Sequence, residues 1–133
     1  MSHYGFLDMG KIMAIPDHGA KVHFRDNFIQ FVLAHFLHSL CNFSFHDFVS
    51  KILFSGDNGV VIVPANDDYK HVTNFEDHKK YMSSNKLYRV WVAHIEHLDI
   101  HMLASQHGLL FEGKNIELFL KSLKELQCGS DLI

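Results

Sequence analysis

The stretch NFIQFVLAHFLHSL, residues 27–40, has the strongest pattern in this chain. Its apolar residues recur at spacings of three and four, the period of a helix with a buried face. Asn27, with Gln30 three residues later, is typical of a helix start. The sequence therefore predicts a long, largely buried helix that is broken at Asn42 and Phe43.

The residues that follow predict a second helix. Ser44 is a typical N-cap residue, and Asp47 three positions later places a carboxylate near the positive helix start. Five apolar residues share one face of this helix: Phe45, Phe48, Val49, Ile52 and Leu53. We expect the helix to end at Ser55 and Gly56, and to pack against the first helix because the connection is short.

Strands are predicted on both sides of this helix pair. Residues 9–15 and 21–24 form a weak hairpin pattern around a turn at residues 16–19. The β-branched run at residues 60–63, stopped by a proline, predicts a central strand buried on both faces. Alternating apolar and polar residues predict a further strand over residues 87–95.

The remaining chain predicts a short helix, two strands and a terminal helix. The short helix spans residues 75–82, and a strand is favoured over a helix within residues 96–107. A strand follows at residues 109–111, and the terminal helix at residues 116–127 carries an apolar stripe. Together these elements predict an α+β fold, with residues 1–133 as one globular domain and a mainly antiparallel sheet packed against three to four helices.

Composition and charge exclude several classes of protein. The 133 residues are 47% hydrophobic and 20% charged, with a net charge of -3, which argues against a basic surface for nucleic acid. The longest nearly apolar run, residues 28–41, is shorter than the roughly 20 residues that span a bilayer, so no membrane association is expected. Cys41, expected to be buried, and Cys128 match no metal-binding spacing. We expect both to be reduced, and the protein to be cytoplasmic.

No nucleophile motif, phosphate-binding loop or dinucleotide fingerprint is present, so the sequence leans away from an enzyme. In size and charge the chain resembles small inhibitors and immunity proteins, although no motif supports that resemblance. The first hypothesis is therefore a module without a cofactor that binds and neutralises another, possibly basic, protein. The acidic and aromatic residues predicted to contact that partner are Asp67, Asp68, Tyr69, Glu76, Asp77 and Tyr81.

Twelve histidines are the unusual feature of the composition, and three of them cluster. On a helix, His97 and His101 would lie one turn apart, with His94 on the neighbouring turn, a geometry that zinc sites use. The metalloprotease pattern is absent, because Leu98 and not a glutamate follows His97. The alternative hypothesis is a metal-dependent hydrolase in which these three histidines bind zinc or another divalent transition metal.

Overall fold

A computed structural model of the chain describes residues 13–37, 39–58, 82–108 and 110–133. In this part of the chain six strands form one sheet, in the order β1 to β6. The strands are β1 Ala20–Phe24, β2 Asn27–Leu33, β3 Phe43–Asp47, β4 Ile52–Gly56, β5 Met102–Ser105 and β6 Leu110–Glu112. Two α-helices are also present, α1 Asn85–Ile95 and α2 Lys114–Glu125, followed by a short 3-10 helix at Ser130–Leu132.

The sheet is mixed. Neighbouring strands are antiparallel except β4 and β5, which run parallel and pair Leu53 with Leu103. Parallel neighbours need a long crossover connection, and here that connection contains α1. The two strands of the parallel pair therefore end at the same edge of the sheet.

Both helices pack on one face of the sheet and form the core with it. Leu53, Leu103 and Phe111 point from β4, β5 and β6 into this core and are at most 1% exposed. Phe111 stacks on Phe119 of α2, with ring centroids 4.4 Å apart. The indole Nε1 of Trp91 on α1 donates a hydrogen bond to the Ser44 hydroxyl of β3 at 3.0 Å.

A buried asparagine links the two helices. Asn85, at the start of α1, is 4% exposed, and its Nδ2 donates to the carbonyl oxygens of Leu123 and Leu126 at the end of α2. The carbonyls at a helix end lack partners within the helix, so this amide satisfies two of them. The side chain of Asn85 therefore links the start of α1 to the end of α2.

The helices predicted at residues 27–40 and from Ser44 to Gly56 are wrong, because these residues form β2, β3 and β4. β2 and β4 carry apolar side chains on both faces, so a spacing of three and four arises there without a helix. In β3, by contrast, Phe43 and Phe45 alternate with the buried polar residues Ser44 and His46. The Asp47 carboxylate does not start a helix. It accepts hydrogen bonds from the backbone N–H groups of Val49 and Ser50, and so stabilises the turn between β3 and β4.

The strand predicted at residues 87–95 is also wrong, because this segment forms most of α1. The Ser84 hydroxyl accepts a hydrogen bond from the Lys86 backbone N–H and caps the helix. Tyr88, Trp91, Val92 and Ile95 are buried at helical spacing, and this periodicity describes the segment better than alternation does.

The predicted α+β arrangement with three to four helices on a mainly antiparallel sheet is therefore wrong for the described part of the chain, which has a six-stranded mixed sheet and two α-helices. The strands predicted at residues 21–24 and 109–111 correspond to β1 and β6, and the terminal helix to α2. The predicted strand at residues 60–63 and nearly all of the short helix at 75–82 lie outside the described residues. Cys41 is exposed, contrary to expectation, and neither Cys41 nor Cys128 forms a disulfide.

Candidate functional site

The parallel strands β4 and β5 bring together two residues that are 50 positions apart. Asp57 follows β4 directly, and His107 follows β5 after one intervening residue. Nδ1 of His107 lies 2.8 Å from Oδ1 of Asp57, within hydrogen-bonding distance. The Gln106 backbone N–H donates to the Gly56 carbonyl at 2.7 Å and extends the contact between the two strand ends.

The turn after β4 is held by local hydrogen bonds. Ser55 is fully buried, and its hydroxyl donates to the Asn58 carbonyl at 2.5 Å, while the Asn58 N–H donates back to the Ser55 carbonyl. Gly56 has φ of 62°, a left-handed conformation that glycine adopts without steric cost. These contacts fix the direction in which Asp57 leaves the sheet.

The donor atoms at this edge suit a transition metal. A carboxylate oxygen and an imidazole nitrogen both bind iron, manganese or zinc, and the pair is accessible, with side chains 35% and 67% exposed for Asp57 and His107. Beside them the fully buried Asn58 amide has no hydrogen-bond partner among the described residues. Buried amides are normally satisfied, so a further polar group is expected at this edge.

The histidines predicted to bind metal lie elsewhere. His94 is half-buried in the last turn of α1, with its Nδ1 unpartnered among the described residues. His97 is exposed in the following turn, and Nε2 of His101 lies 3.4 Å from Oδ1 of Asp99. Within the described ranges no three His, Cys, Asp or Glu side chains form a group that could hold a metal ion. Metal binding by this trio stays a prediction.

The predicted partner-binding residues lie outside the part of the chain that the structure describes. These residues are Asp67, Asp68, Tyr69, Glu76, Asp77 and Tyr81. Among the described residues, no helix is long and apolar enough to cross a membrane. Contact with a basic protein and a cytoplasmic location stay predictions.

Sequence reasoning missed Asp57 and His107. Asp57 directly follows the segment predicted as the second helix, and His107 is the last residue of the segment 96–107, in which a strand is favoured over a helix. The available signal was a short apolar run followed at once by a polar residue and glycine, which is typical of a strand that ends at a site. That signal was hidden because the residues before Asp57 were interpreted as a helix.

Comparison with known proteins first defines the fold class. The flavodiiron protein from Giardia intestinalis superposes with a TM-score of 0.67 at 16% identity, over 92% of this chain and 32% of that one. At this identity the match shows a common fold. A search of curated protein sequences found no match.

Two structures of the chemotaxis sensor ODP are more similar to this chain. The structure of its peroxy diiron species matches with a TM-score of 0.82 at 34% identity, over 90% of this chain and 55% of that chain. The apo state from T. denticola matches with a TM-score of 0.81 at 33% identity, over 96% and 57%. The chain therefore spans a little over half the length of the ODP chains.

The family model of the ODP family beta lactamases matches residues 1–108 of the 133. The chain therefore belongs to the ODP family. The prediction of an inhibitor or immunity protein is wrong, because the family match places the chain in the ODP family and its fold matches structures of ODP and of a flavodiiron protein. Size and charge alone supported that prediction, and these properties are common to many small domains.

Proposed function

We propose that this chain forms part of an iron-binding sensor domain of the ODP kind, with Asp57 and His107 among the metal ligands. The observation that carries the proposal is the 2.8 Å contact between Nδ1 of His107 and Oδ1 of Asp57, at the ends of two parallel strands. The similarity to the diiron form of the chemotaxis sensor ODP supports iron as the metal.

The side-chain groups of Asp57 and His107 are of the chemical types that bind iron. One carboxylate and one imidazole are ligands that non-haem iron accepts. Bound iron would supply reactivity towards a small oxidant such as O₂. The chain's own contribution is to hold Asp57 and His107 at adjacent strand ends, where the hydrogen-bonded turn at Ser55 to Asn58 limits their movement.

Further ligands have to come from outside the described residues, because the described ones contain no group of three. Four histidines of the sequence lie there: His3, His38, His71 and His78. Of these, His38 directly follows Leu37, whose carbonyl accepts a hydrogen bond from Nδ2 of Asn42 at 2.8 Å. A Cβ atom placed on Gly56 would lie 3.8 Å from the same Nδ2, so the Asn42 side chain connects the segment at Leu37 with the end of β4. His38→Ala is therefore the first of the four substitutions to test.

The experiment measures Fe(II) binding by the purified, untagged chain under anaerobic conditions. We expect Asp57→Asn and His107→Ala each to weaken iron binding by at least about 10-fold to 100-fold, because the loss of a group that only supports a ligand already costs that much. The chain offers a matched control, because Asp99 and His101 form a similar pair at the opposite ends of β4 and β5. Asp99→Asn and His101→Ala should bind iron as the unmodified chain does.

Two results would contradict the proposal. The first is unchanged iron binding in the Asp57 and His107 variants. The second is an equal loss of iron in the Asp99 and His101 variants, since that would indicate nonspecific binding by surface histidines and carboxylates. Circular dichroism of each variant would show whether the fold is retained.

A further inference from the structure

A hollow lies on the helix side of the sheet, next to the end of α1. Its volume is about 410 Å³, and the register aligns three polar residues from β1, β2 and β3 along its floor: Lys21, Gln30 and His46. The turn after α1 forms one wall of the hollow, at His97 and Leu98. The helix side of the sheet is therefore polar and open at this end.

The hollow is distinct from the candidate metal site. Lys51 and Asp99 line it, and these two residues precede β4 and β5. Asp57 and His107 follow the opposite ends of the same two strands. A ligand in the hollow therefore goes beyond the proposed function, and its binding does not depend on iron.

The floor of the hollow contains a buried imidazole with an unpaired nitrogen. His46 is 2% exposed, and its Nε2 lies 3.1 Å from the carbonyl oxygen of Asp99. A carbonyl oxygen only accepts hydrogen bonds, so Nε2 carries the proton and the neutral ring keeps an acceptor lone pair on Nδ1. This Nδ1 has no hydrogen-bond partner among the described residues. Because buried polar atoms are normally paired, His46 indicates a place for a hydrogen-bond donor in the hollow.

Positive charge lies at the rim of the hollow. The Lys21 ammonium is 5.2 Å from the centroid of the Phe28 ring, and no carboxylate of the described residues pairs with it. Lys51 adds a second ammonium, but its Nζ lies 2.6 Å from Oδ2 of Asp99, which offsets the charge. The rim therefore keeps one ammonium group with which an anion can pair.

A third part of the lining is apolar. Phe28 and Phe48 both line the hollow and stack on each other, with ring centroids 4.3 Å apart. Lys21 and His46 lie on strands that are separated by β2, so their backbones are roughly 10 Å apart. A ligand that reaches both residues needs an acid and a donor at opposite ends of an apolar body.

We propose that the hollow binds a small organic acid that carries a hydroxyl group at the end opposite its carboxylate. The hydroxyl group donates to Nδ1 of His46, and the carboxylate pairs with Lys21. The body of the ligand packs against Phe28 and Phe48. Small-molecule sites combine an apolar lining with a few placed polar groups in this way.

The test uses the full, untagged, metal-free chain at about pH 8, where an ordinary imidazole is neutral. The probe is 4-hydroxybenzoate, and nuclear magnetic resonance titration measures its dissociation constant from the backbone amide signals. We expect the signals of Lys21, Gln30 and His46 to shift. Benzoate lacks the donor and 4-hydroxybenzyl alcohol lacks the charge, so each should bind at least about threefold more weakly.

Two variants assign the contacts. In His46→Gln the amide N–H can still donate to the Asp99 carbonyl, but no acceptor replaces Nδ1. This variant should bind 4-hydroxybenzoate about threefold to tenfold more weakly and benzoate as before. Lys21→Gln should weaken both acids by about threefold to tenfold and leave 4-hydroxybenzyl alcohol unaffected. Lys121→Gln is the matched control, because Lys121 is exposed on α2 and outside the lining, and it should leave all three affinities unchanged.

Three results would overturn the inference. The first is that millimolar 4-hydroxybenzoate shifts no signals at the hollow. The second is equal affinity of the unmodified chain for benzoate and 4-hydroxybenzoate, since Nδ1 of His46 would then receive no donor. The third is unchanged binding of both acids by Lys21→Gln. Circular dichroism shows whether His46→Gln keeps its fold, and Lys21→Gln alters an exposed residue, so the test does not depend on the buried substitution alone.

Discussion

The two faces of the sheet differ although the same six strands form both. On the helix side, the register aligns an inner row of six residues, one from each strand: Lys21, Gln30, His46, Leu53, Leu103 and Phe111. Its apolar members in β4 to β6 are buried, whereas its members in β1 to β3 are polar, and of these only His46 is buried. On the opposite face the register aligns an outer row that is apolar across all six strands but is partly or largely exposed: Ala20, Phe31, Phe45, Phe54, Ala104 and Leu110.

The difference shows that side-chain type alone does not identify the packed face of this sheet. Leu53 and Phe54 are adjacent in β4, and they are 0% and 45% exposed. The helices cover the apolar members of the inner row, which belong to the core, whereas the outer row is left partly exposed, so we expect it to contribute less to stability. Substitutions on the two faces should therefore have very different effects, and the following predictions test that difference.

The largest loss of stability is expected for Trp91→Ala. Trp91 is 1% exposed, lies between α1 and the inner face, and donates its indole N–H to Ser44. Its removal opens a large cavity and leaves the buried Ser44 hydroxyl without this donor, so we expect a loss of about 3–5 kcal/mol. Urea unfolding measures the change. A loss below about 1 kcal/mol would show that the helix side is not the main core.

The most direct comparison of the faces is Leu53→Ala against Phe54→Ala. We expect about 2–5 kcal/mol of destabilisation for Leu53→Ala, because a fully buried side chain is removed. Phe54→Ala should cost less than about 1 kcal/mol in the isolated chain, because the ring is already half in water. Equal losses in urea unfolding would mean that the outer row is covered in the isolated chain.

A smaller effect is expected for the asparagine that links the helices. Asn85→Ala removes two hydrogen bonds to the carbonyls of Leu123 and Leu126, and should cost about 1–3 kcal/mol. Asn115→Ala is the matched control, because Asn115 is exposed on α2, and it should change stability by no more than about 0.5 kcal/mol. Similar losses for the two variants would show that the link between the helices is unimportant.

The smallest effect concerns Asp47, at the border of the outer row, and depends on pH. Its pKa lies below the ordinary value of 3.8, first because Nδ2 of Asn27 donates to the carboxylate and next because the Ser50 N–H does. The unfolded chain binds this proton more readily. The contribution of Asp47 to stability is therefore complete above pH 3.8 and is lost as the pH falls through the lower pKa of the folded state.

Thermal unfolding of the chain and of Asp47→Asn, compared across acidic pH, measures this contribution. The unmodified chain should lose stability more steeply than the variant below pH 3.8. Other lowered carboxyl pKa values, those of Asp99 and Asp131, act equally in both proteins. Parallel curves for the two proteins would contradict the assignment.

Local patterns predicted the elements that depend on local interactions. The terminal helix has an apolar stripe with Ile116, Phe119 and Leu123 buried, and its sequence resembles that of an isolated amphipathic helix. The sequence mispredicts β2 and β4 as helical because they are apolar on both faces, and a strand of that kind has no alternation to distinguish it from a buried helix. β3 does alternate, but its polar residues Ser44 and His46 face the helices and are buried.

The candidate site was hidden for a related reason. Asp57 and His107 are far apart in sequence, and each follows a short strand whose partner is supplied by distant residues. Their proximity results from the parallel pairing of β4 and β5 across a crossover that contains α1. Spacing rules for metal ligands favoured the nearby trio of His94, His97 and His101, because such rules detect ligands within one element.

The amino-acid sequence by itself determined the short-range features of this protein, namely the helical stripe of α2 and the strand at β1, together with its net charge of -3. These depend on interactions between residues a few positions apart, or on composition. The tertiary structure alone decided which face of the sheet is buried and which strand ends meet at Asp57 and His107. Those outcomes depend on contacts between distant segments, and the energy of such contacts is not recorded in any local pattern.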